Sequence, residues 1–343
     1  DPGRNGLSVE EFHAYCEKMQ ATHPVTMTTL ATHDTKRSDD VRARLAVLSE
    51  LPVRFGAAVQ RWSRMNSIFR EDGPGGATMP DRNTEYLYYQ TLIGAWPLTL
   101  DRASAYMLKA VREAKQQTSW VGNNQEFETA LHRFIEKTLE HEPFLRELLQ
   151  FVDKVKDAGR VNSLSQTLLK HTAPGVPDLY QGTELWDLSL VDPDNRRPVD
   201  YEVRRRLLHE LKTMSDDKRV EEIMARADEG LPKMWTIYQA LHLRREHKDW
   251  FGADSGYTRL AVDGTKRDHV IAYLRGDSVA TIVPRLTVKL LGIWKNTTVA
   301  LPEGRWRNRL TGNDLDGGKV AIQNLLKEFP VALLAKSEGL EHA

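Results

Sequence analysis

Residues 25–40 read VTMTTLATHDTKRSDD and decide the fold class. The first eight residues of this stretch are rich in β-branched side chains and follow Pro24, a pattern typical of a short buried strand. His33 and Asp34 stand where that strand would end, and Ser38 stands where an amphipathic helix would begin. A strand that ends in polar residues and leads into a helix is one unit of a parallel α/β fold.

Upstream of this unit, residues 8–20 predict a helix, with Ser8 and Glu11 at the spacing of a capping box. Residues 1–6 (DPGRNG) are rich in turn-forming Pro and Gly and predict a loop. The chain starts with Asp and shows no leader pattern, so we expect it to be cut from a longer chain. A processed N-terminus is the alternative explanation.

Downstream, residues 52–169 are almost wholly helical in pattern, and the longest helix is predicted to stop at Gly159. A glycine-rich break at residues 72–81 (DGPGGATMPD) is the best candidate for a loop or for disorder. So many helical residues between two strands exceed what one crossover needs. The sequence therefore predicts a helical insertion or subdomain.

A second strand is predicted at residues 177–180 (PDLY), followed by a polar stretch and further helices, the last over residues 233–247. After residue 250 short alternating runs such as HVIAYL and SVATIV predict an antiparallel sandwich. The predicted fold class is α/β: the C-terminal part of a (β/α)8 barrel with a large helical insertion, then an all-β sandwich domain. The predicted domain limits are 1–50 (late barrel strand and helix), 51–160 (helical insertion), 161–249 (last barrel strand, substrate loop and final barrel helices) and 250–343 (sandwich).

Charge balance, cysteine content and histidine spacing indicate which partners, compartments and cofactors the sequence supports. The chain has 343 residues, with 48 basic and 48 acidic side chains and a formal net charge of zero. This balance gives no support to a nucleic-acid partner or a membrane partner. The single cysteine, Cys16, excludes an internal disulfide and favours the cytoplasm. The histidines show no metal-ligand spacing and no phosphate loop is present, so no metal or cofactor is expected.

The first candidate site is the cluster His33, Asp34, Lys36 and Arg37 that follows the first strand. Barrel enzymes keep their active groups at the carboxyl ends of the strands. An Asp can accept hydrogen bonds from two neighbouring sugar hydroxyls, and a His can donate to a third. The alternative is a helix entry whose charges only complement the helix dipole.

The second candidate group is Gln181 and Glu184, in YQGTE after the second strand, although structural duty is the better interpretation of Glu184. A third group lies in DPDNRRPVD and consists of Asp192, Asp194, Asn195, Arg196 and Arg197. Such mixed polar side chains can hold sugar hydroxyls, but they can equally form a self-satisfied surface network.

The order of these motifs resembles the α-amylase superfamily (glycoside hydrolase family 13), on the His-Asp strand end and on GVPDLYQGTE. A sharper resemblance is to the maltooligosyl trehalose synthases. It rests on longer blocks, which read THDTKRSDDVRARLAVLSELP, EYLYYQTLIGAWP, NSLSQTLLKHTAPGVPDLYQGTELWDLSLVDPDNRRPVDY and LPEGRWRNRLTG. Together with FPVALL near the end, these blocks are spread over residues 32–334, so the resemblance spans nearly the whole chain.

This resemblance implies an isomerase that converts the reducing-end α-1,4 link of a maltooligosaccharide into an α,α-1,1 link. In the amylase mechanism an Asp nucleophile and a Glu acid/base work with a second Asp that grips the hydroxyls of the reacting sugar. The resemblance maps this second Asp, the transition-state stabiliser, onto Asp34, with His33 as its sugar-binding neighbour. The other two carboxylates would belong to strands that precede residue 25, so we expect the N-terminal half of the same protein as a partner. This chain alone should be inactive.

The resemblance also extends the list of substrate contacts. We expect Lys36, Arg37 and the loop from Asp192 to Arg197 to hold the freed glucose while water is excluded, with the helical insertion as a cover. Two other readings stay open. One is an α-glucan hydrolase or trehalohydrolase of the same superfamily, and the other is a non-catalytic glucan-binding chain.

Overall fold

The computed structural model describes residues 6–290 and 292–337, so the predicted loop at residues 1–6 lies outside the described part except for Gly6. The helices of the described part are α1 (Val9–Thr22), α2 (Asp39–Ala46), α3 (Pro52–Met65), α4 (Arg82–Ala95), α5 (Leu100–Ala114), α6 (Gln125–Glu140), α7 (Glu142–Thr172), α8 (Tyr201–Thr213), α9 (Arg219–Ala225), α10 (Leu231–Glu246) and α11 (Ile322–Leu325). Its strands are β1 (Met27–Thr28), β2 (Glu71–Asp72), β3 (Thr78–Met79), β4 (Val176–Pro177), β5 (Tyr257–Arg259), β6 (Val262–Asp263), β7 (Val270–Arg275), β8 (Val279–Pro284), β9 (Thr298–Asn308), β10 (Asp314–Ala321) and β11 (Ala332–Lys336).

Two compact units make up the described chain, and each contains segments that are distant in sequence. The helical unit consists of Ala31–Arg160 and Asp187–Pro198. The mixed unit consists of the described residues before Ala31, together with Val161–Trp186 and the chain from Val199 onward. The mixture of helices and strands agrees with the predicted α/β class, whereas the four domain limits stay a prediction.

Local sequence explains where α1 begins, whereas the start of α2 depends on a contact that is remote in sequence. Ser8 and Glu11 form the predicted capping box of α1: the Glu11 amide donates to the Ser8 hydroxyl at 3.1 Å, and the Ser8 amide donates to the Glu11 carboxylate at 2.8 Å. Ser38 also stands at the N-cap of α2, but its hydroxyl donates to the carbonyl oxygen of Asp187 instead of capping the helix. The start of α2 is therefore tied to a loop remote in sequence.

An aromatic core holds the helical unit together. The Trp62 ring of α3 is fully buried and lies 5.6 Å from Tyr89 of α4 and 5.8 Å from Phe144 of α7, both in edge-to-face arrangements. Such rings bury large apolar areas and fix the mutual orientation of the helices. The helical character predicted for residues 52–169 is confirmed by α3 to α7.

One local prediction in this region is wrong, and the structure decides between the two alternatives of another. The longest helix does not stop at Gly159, since α7 continues to Thr172. A glycine without a following turn signal costs a helix only about 1 kcal/mol, which tertiary packing overrides. The stretch at residues 72–81, predicted as a loop or as disorder, contains a loop: residues 73–77 connect β2 and β3, which pair as a short antiparallel hairpin with Glu71 opposite Met79.

The mixed unit contains the two predicted parallel strands. Strands β1 and β4 are each two residues long, much shorter than expected, and they pair in parallel with Met27 opposite Val176. Gly175 has φ +127°, and a Cβ atom there would lie 2.8 Å from the Thr28 side chain. The glycine thus permits the close approach of the two strands.

The C-terminal strands form one antiparallel sheet in the order β10-β9-β11-β8-β7-β5, with β6 paired to β9. Alternate residues of β7 enter different cores. Ile271 and Tyr273 pack with the helices of the mixed unit, while Ala272 and Leu274 pack against the core that contains Trp306. Burial on both faces explains the continuous apolar run of this strand. The antiparallel sheet is confirmed, and its division into a sandwich stays a prediction.

A buried histidine makes the mixed unit sensitive to acid. His171 on α7 is buried, and its Nδ1 lies 2.7 Å from the carbonyl oxygen of Thr167. Burial lowers the pKa of His171 to about 3, from an ordinary value of 6.5. Because the folded-state pKa is depressed, the contribution of the neutral ring to stability is complete above pH 6.5 and is lost as the pH falls towards 3.

We expect His171 alone to lower the free energy of unfolding by about 2 kcal/mol between pH 7 and pH 5. Urea titrations at the two pH values should show a correspondingly shallower pH dependence in His171→Gln. His132→Gln, which replaces an exposed histidine on α6, should keep the pH dependence of the unsubstituted protein. Identical pH dependence in all three proteins would rule out this role of His171.

Candidate active site

His33 and Asp34 lie in a tight surface turn of the helical unit, shortly before α2. The Thr35 amide donates to the Thr32 carbonyl oxygen at 3.2 Å, and the Thr32 amide donates to the Thr35 hydroxyl at 2.8 Å. These bonds close the turn and direct the two side chains into solvent. His33 Nε2 lies 3.3 Å from Asp34 Oδ2, and the side chains are 54% and 83% exposed. The Asp34 carboxylate is therefore accessible to a hydroxylated ligand.

The two basic residues of this motif differ in accessibility. Lys36 is 62% exposed, and its Nζ lies 3.0 Å from a carboxylate oxygen of Glu113 on α5. Arg37 is half-buried and donates to Gln90 at 3.5 Å and to Thr91 at 3.3 Å, both on α4. Its backbone also forms an antiparallel bridge with Leu190. Lys36 can reach a ligand, whereas Arg37 mainly connects the motif to α4 and to the polar loop.

The polar loop, defined here as residues 187–198, is organised around Asp194. Arg102 of α5 binds the two carboxylate oxygens of Asp194 at 2.8 and 2.9 Å, and the Leu190 amide donates to the same group at 2.7 Å. Burial would raise the pKa of Asp194, but these hydrogen bonds outweigh it and hold the pKa below its ordinary value. Asp194, with a side chain only 12% exposed, therefore stabilises the conformation of the polar loop through these internal contacts.

Asn195 attaches the polar loop to the His-Asp turn. Its Nδ2 donates to the carbonyl oxygen of His33 at 2.8 Å and to that of Thr32 at 3.3 Å. More than 160 residues separate these partners in sequence. Two of the three predicted groups thus meet in the fold, with the exposed Asp34 next to the turn residue that Asn195 holds.

The remaining charged residues of the polar loop form local pairs. Arg196 Nε lies 2.7 Å from Asp192 Oδ1, with side chains 57% and 35% exposed. Lys109 of α5 donates to the carbonyl oxygen of Asp192 at 2.7 Å. Arg197 Nε donates to the carbonyl oxygen of Asp194 at 2.9 Å. Asp192 and Arg196 therefore present accessible polar groups on a loop that α5 fixes.

Gln181 and Glu184 belong to the mixed unit. Arg204 of α8 binds the Glu184 carboxylate at 2.8 Å and donates to the carbonyl oxygen of Gly182 at 2.7 Å. Gly182 has φ +87°, the left-handed conformation that the tight turn after β4 requires. These contacts agree with the structural interpretation of Glu184. The binding roles of Gln181, which is exposed, and of Glu184 stay a prediction.

Sequence reasoning missed the residues that hold the site in place, namely Arg102, Lys109, Glu113 and Arg204. Each lies on an ordinary amphipathic helix, where a charged residue is normally interpreted as solvent-exposed. Arg102 is nevertheless only 18% exposed as it grips Asp194. No local signal distinguishes such a residue, because its partner lies far away in sequence.

We expect Arg102→Ala to lower the free energy of unfolding by about 2 kcal/mol, because it leaves the poorly exposed Asp194 carboxylate without its bidentate partner. Urea denaturation at pH 7 measures this change. Arg196→Ala removes an ion pair between more exposed side chains and should change stability by less than about 0.5 kcal/mol. Equal effects of the two substitutions would contradict the assigned role of Arg102.

Two features are absent from the part of the chain that the structure describes. Within residues 6–290 and 292–337, three or more His, Cys, Asp or Glu side chains do not converge in a group that could hold a metal ion. Among the described helices, none is long and apolar enough to cross a membrane.

Comparison with solved structures places this fold beside one class of enzyme. The structure of maltooligosyltrehalose synthase from Arthrobacter ramosus matches with a TM-score of 0.84 and 36% sequence identity, over 98% of this chain and 42% of that one. A hypothetical maltooligosyl trehalose synthase of Sulfolobus tokodaii matches with a TM-score of 0.77 and 30% identity, over 98% and 42% of the two chains.

A curated relative carries the same name. The putative maltooligosyl trehalose synthase of Mycobacterium tuberculosis is 37% identical over 347 residues, which cover 99% of this chain and 41% of the relative. The chain thus spans about two fifths of the length of the relatives it matches. No family model matches it. The resemblance to maltooligosyl trehalose synthases is confirmed over nearly the whole chain, while the placement in the α-amylase superfamily stays a prediction.

Proposed function

We propose that this chain contributes the transition-state-stabilising part of a maltooligosyl trehalose synthase that acts in trehalose biosynthesis in the cytoplasm. The observation that carries the proposal is the pair of hydrogen bonds from Asn195 to the His-Asp turn, which brings the polar loop next to the exposed Asp34 carboxylate. The similarity to enzymes of that name over 99% of the chain supports it. The reaction is intramolecular transglycosylation of a maltooligosaccharide.

In the proposed mechanism, a nucleophilic Asp outside this chain attacks the anomeric carbon of the penultimate glucose unit. A Glu acid, also outside this chain, protonates the leaving glycosidic oxygen, so that a covalent glycosyl-enzyme and free glucose form. The glucose then turns, and its anomeric hydroxyl attacks the intermediate as the same Glu removes the proton. The product carries an α,α-1,1 link, and no water is consumed.

In this mechanism Asp34 accepts hydrogen bonds from the hydroxyls of the reacting sugar and His33 donates one. A carboxylate–hydroxyl bond that tightens as the oxocarbenium-like state forms stabilises that state more than the substrate. Lys36, Asp192 and Arg196 are accessible enough to hold the freed glucose. Asp194 and Arg37, which are committed to contacts within the helical unit, are positioning residues. The helical insertion predicted over residues 51–160 would serve as a cover against water.

The partner we propose is the N-terminal part of the same protein, which would supply the earlier strands of a (β/α)8 barrel. Support comes from the β1–β4 pair, where the side chains of Met27 and Val176 are apolar but 72% and 44% exposed. Parallel strands are ordinarily part of larger sheets that are covered on both faces. A sandwich architecture for the C-terminal sheet belongs to the same proposal.

The test combines this chain with the segment that precedes it in the complete gene. We expect no turnover of maltopentaose by this chain alone, and conversion to a non-reducing sugar of equal size once the two parts are combined. Smaller products would show a hydrolase or a trehalohydrolase. Binding without turnover by the complete protein would show a glucan-binding protein. Turnover by this chain alone would disprove the assignment of the nucleophile and acid to the other part.

A further prediction concerns the role of Arg196 in favouring isomerisation over hydrolysis. We expect Arg196→Ala in the combined protein to raise the ratio of free glucose to trehalosyl product by about fivefold, since one charged hydrogen bond to the retained glucose is lost. Chromatography of the products measures the ratio. Arg206→Ala is the control, because it removes a similarly exposed arginine that also pairs four residues along the chain. An unchanged ratio in Arg196→Ala would count against the proposed contact.

A further inference from the structure

A cavity of about 450 Å³ lies within the helical unit, between the C-terminal half of α3 and the first turn of α4. Its wall includes the side chains of Ser63, Arg64, Arg70, Arg82 and Glu85. The proposed sugar chemistry uses none of these residues. Their grouping follows from the fold, because the β2–β3 hairpin returns the chain so that Arg82 and Glu85 face the end of α3.

The carboxylate of Glu85 is fully engaged within the protein. It is 3% exposed and accepts hydrogen bonds from Arg70, from the Ser63 hydroxyl at 3.2 Å and from the Tyr89 hydroxyl at 2.7 Å. Arg70 is itself 10% exposed, and its Nε has no hydrogen-bond partner among the residues that the structure describes. The Arg70–Glu85 pair therefore leaves one buried N–H group of Arg70 without an acceptor in the described part of the chain.

Two further guanidinium groups line the same cavity. Arg82 donates to the Ser63 hydroxyl and lies 3.8 Å from Glu85, with a side chain 72% exposed. Arg64 is exposed, and its guanidinium forms no ion pair within the described ranges. Three guanidinium groups thus face one carboxylate, which leaves an excess of two positive charges around the cavity. A purely structural role accounts for Arg70 and Glu85, which form a poorly exposed ion pair. It does not account for Arg64, which lines the cavity without such a partner in the described part.

We propose that this cavity binds a phosphate monoester, whose phosphate dianion would match the excess charge. Guanidinium groups bind phosphate through paired N–H donors in a planar fork. Arg64 and Arg82 carry such groups at exposed positions on the wall of this cavity. The volume exceeds what a lone phosphate needs, since it is within the range of small-molecule sites. Val59 and Tyr86 supply an apolar wall against which a small carbon skeleton packs. The ligand class is a small phosphorylated metabolite.

Isothermal titration calorimetry on the full chain tests the proposal, with glycerol 3-phosphate and inorganic phosphate as probes. We expect saturable binding at one site and a dissociation constant at least about tenfold higher in Arg64→Ala, because one charged donor is removed. The fold should tolerate this substitution, since the Arg64 guanidinium makes no ion pair in the described part. Arg82→Ala should weaken binding by a similar factor.

The matched control is Arg61→Ala, also on α3, which removes an arginine that pairs with Glu147 and lies outside the cavity. It should leave both dissociation constants unchanged. Tighter binding of glycerol 3-phosphate than of inorganic phosphate is expected, because the carbon skeleton packs against the apolar wall; equal affinities of the two probes would overturn the assignment of a monoester. Absence of saturable binding, or equal affinities of Arg64→Ala and Arg61→Ala, overturns the proposal. Neither result depends on the proposed sugar chemistry.

Discussion

Asp34→Asn is expected to lower the rate of trehalosyl product formation by the combined protein on the order of a thousandfold. The substitution keeps the shape of the side chain but removes the negative charge that would accept sugar hydroxyls as the transition state forms. Because that interaction is strongest in the transition state, the loss should fall on kcat and on kcat/KM alike. Steady-state kinetics with maltopentaose measures both.

Because Asp34 is highly exposed, a loss of activity in Asp34→Asn can be separated from a loss of stability. Its side chain is 83% exposed, so the substitution should change the free energy of unfolding by less than about 0.5 kcal/mol. Asp153→Asn provides the matched control, since Asp153 on α7 is 79% exposed and is 3.7 Å from Lys156. The control should retain full activity. A near-normal rate in Asp34→Asn would remove the basis of the proposed sugar chemistry in this chain.

Gly159→Ala is expected to destabilise the helical unit by about 3 kcal/mol, although alanine is normally the better helix former. A Cβ atom at this position would lie 2.9 Å from Arg44 Cα and 3.1 Å from Arg44 Cβ on α2. Arg44 cannot easily move away, because its guanidinium donates to the carbonyl oxygens of Ile93 at 3.3 Å and Trp96 at 2.8 Å. Relief of the overlap would therefore break buried hydrogen bonds.

Gly56 on α3 offers the matched control for this prediction. It is exposed within a helix, and nothing lies within 4 Å of the position that its Cβ would take. Gly56→Ala should therefore stabilise the protein by up to about 1 kcal/mol through helix propensity alone. Urea denaturation of the two variants should move their midpoints in opposite directions. Stabilisation by both substitutions would show that α7 and α2 can separate at no cost.

The two glycines also show why the end of α7 could not be predicted. In sequence, Gly159 follows an apolar helical pattern and so resembles a stop signal. In the structure it lies inside a 31-residue helix, directly against the backbone of Arg44 on α2. A small residue is needed at position 159 because Arg44 of α2, which is remote in sequence, packs against it. The local sequence around Gly159 does not indicate this contact.

Periodicity and turn chemistry were sufficient for much of the architecture. The capping box of α1, the helices between residues 52 and 169, and the antiparallel strands after residue 250 all follow from local patterns that agree with the final packing. The parallel strands were predicted in the right places but too long. Among the described residues, parallel pairing is limited to β1 and β4, over two residues each, since backbone pairing depends on a partner strand at the right distance.

The same distinction between local and long-range information applies to the candidate site. The sequence by itself determined the chemistry that is available: an Asp beside a His after a strand, and a polar loop rich in Asp and Arg, because residue types are local. Only the tertiary structure decided that Asn195 binds the turn of His33, that Asp194 is engaged by Arg102, and that Asp34 remains accessible. Those outcomes depend on contacts between residues that lie many tens of positions apart, where geometry rather than local propensity sets which hydrogen bonds form.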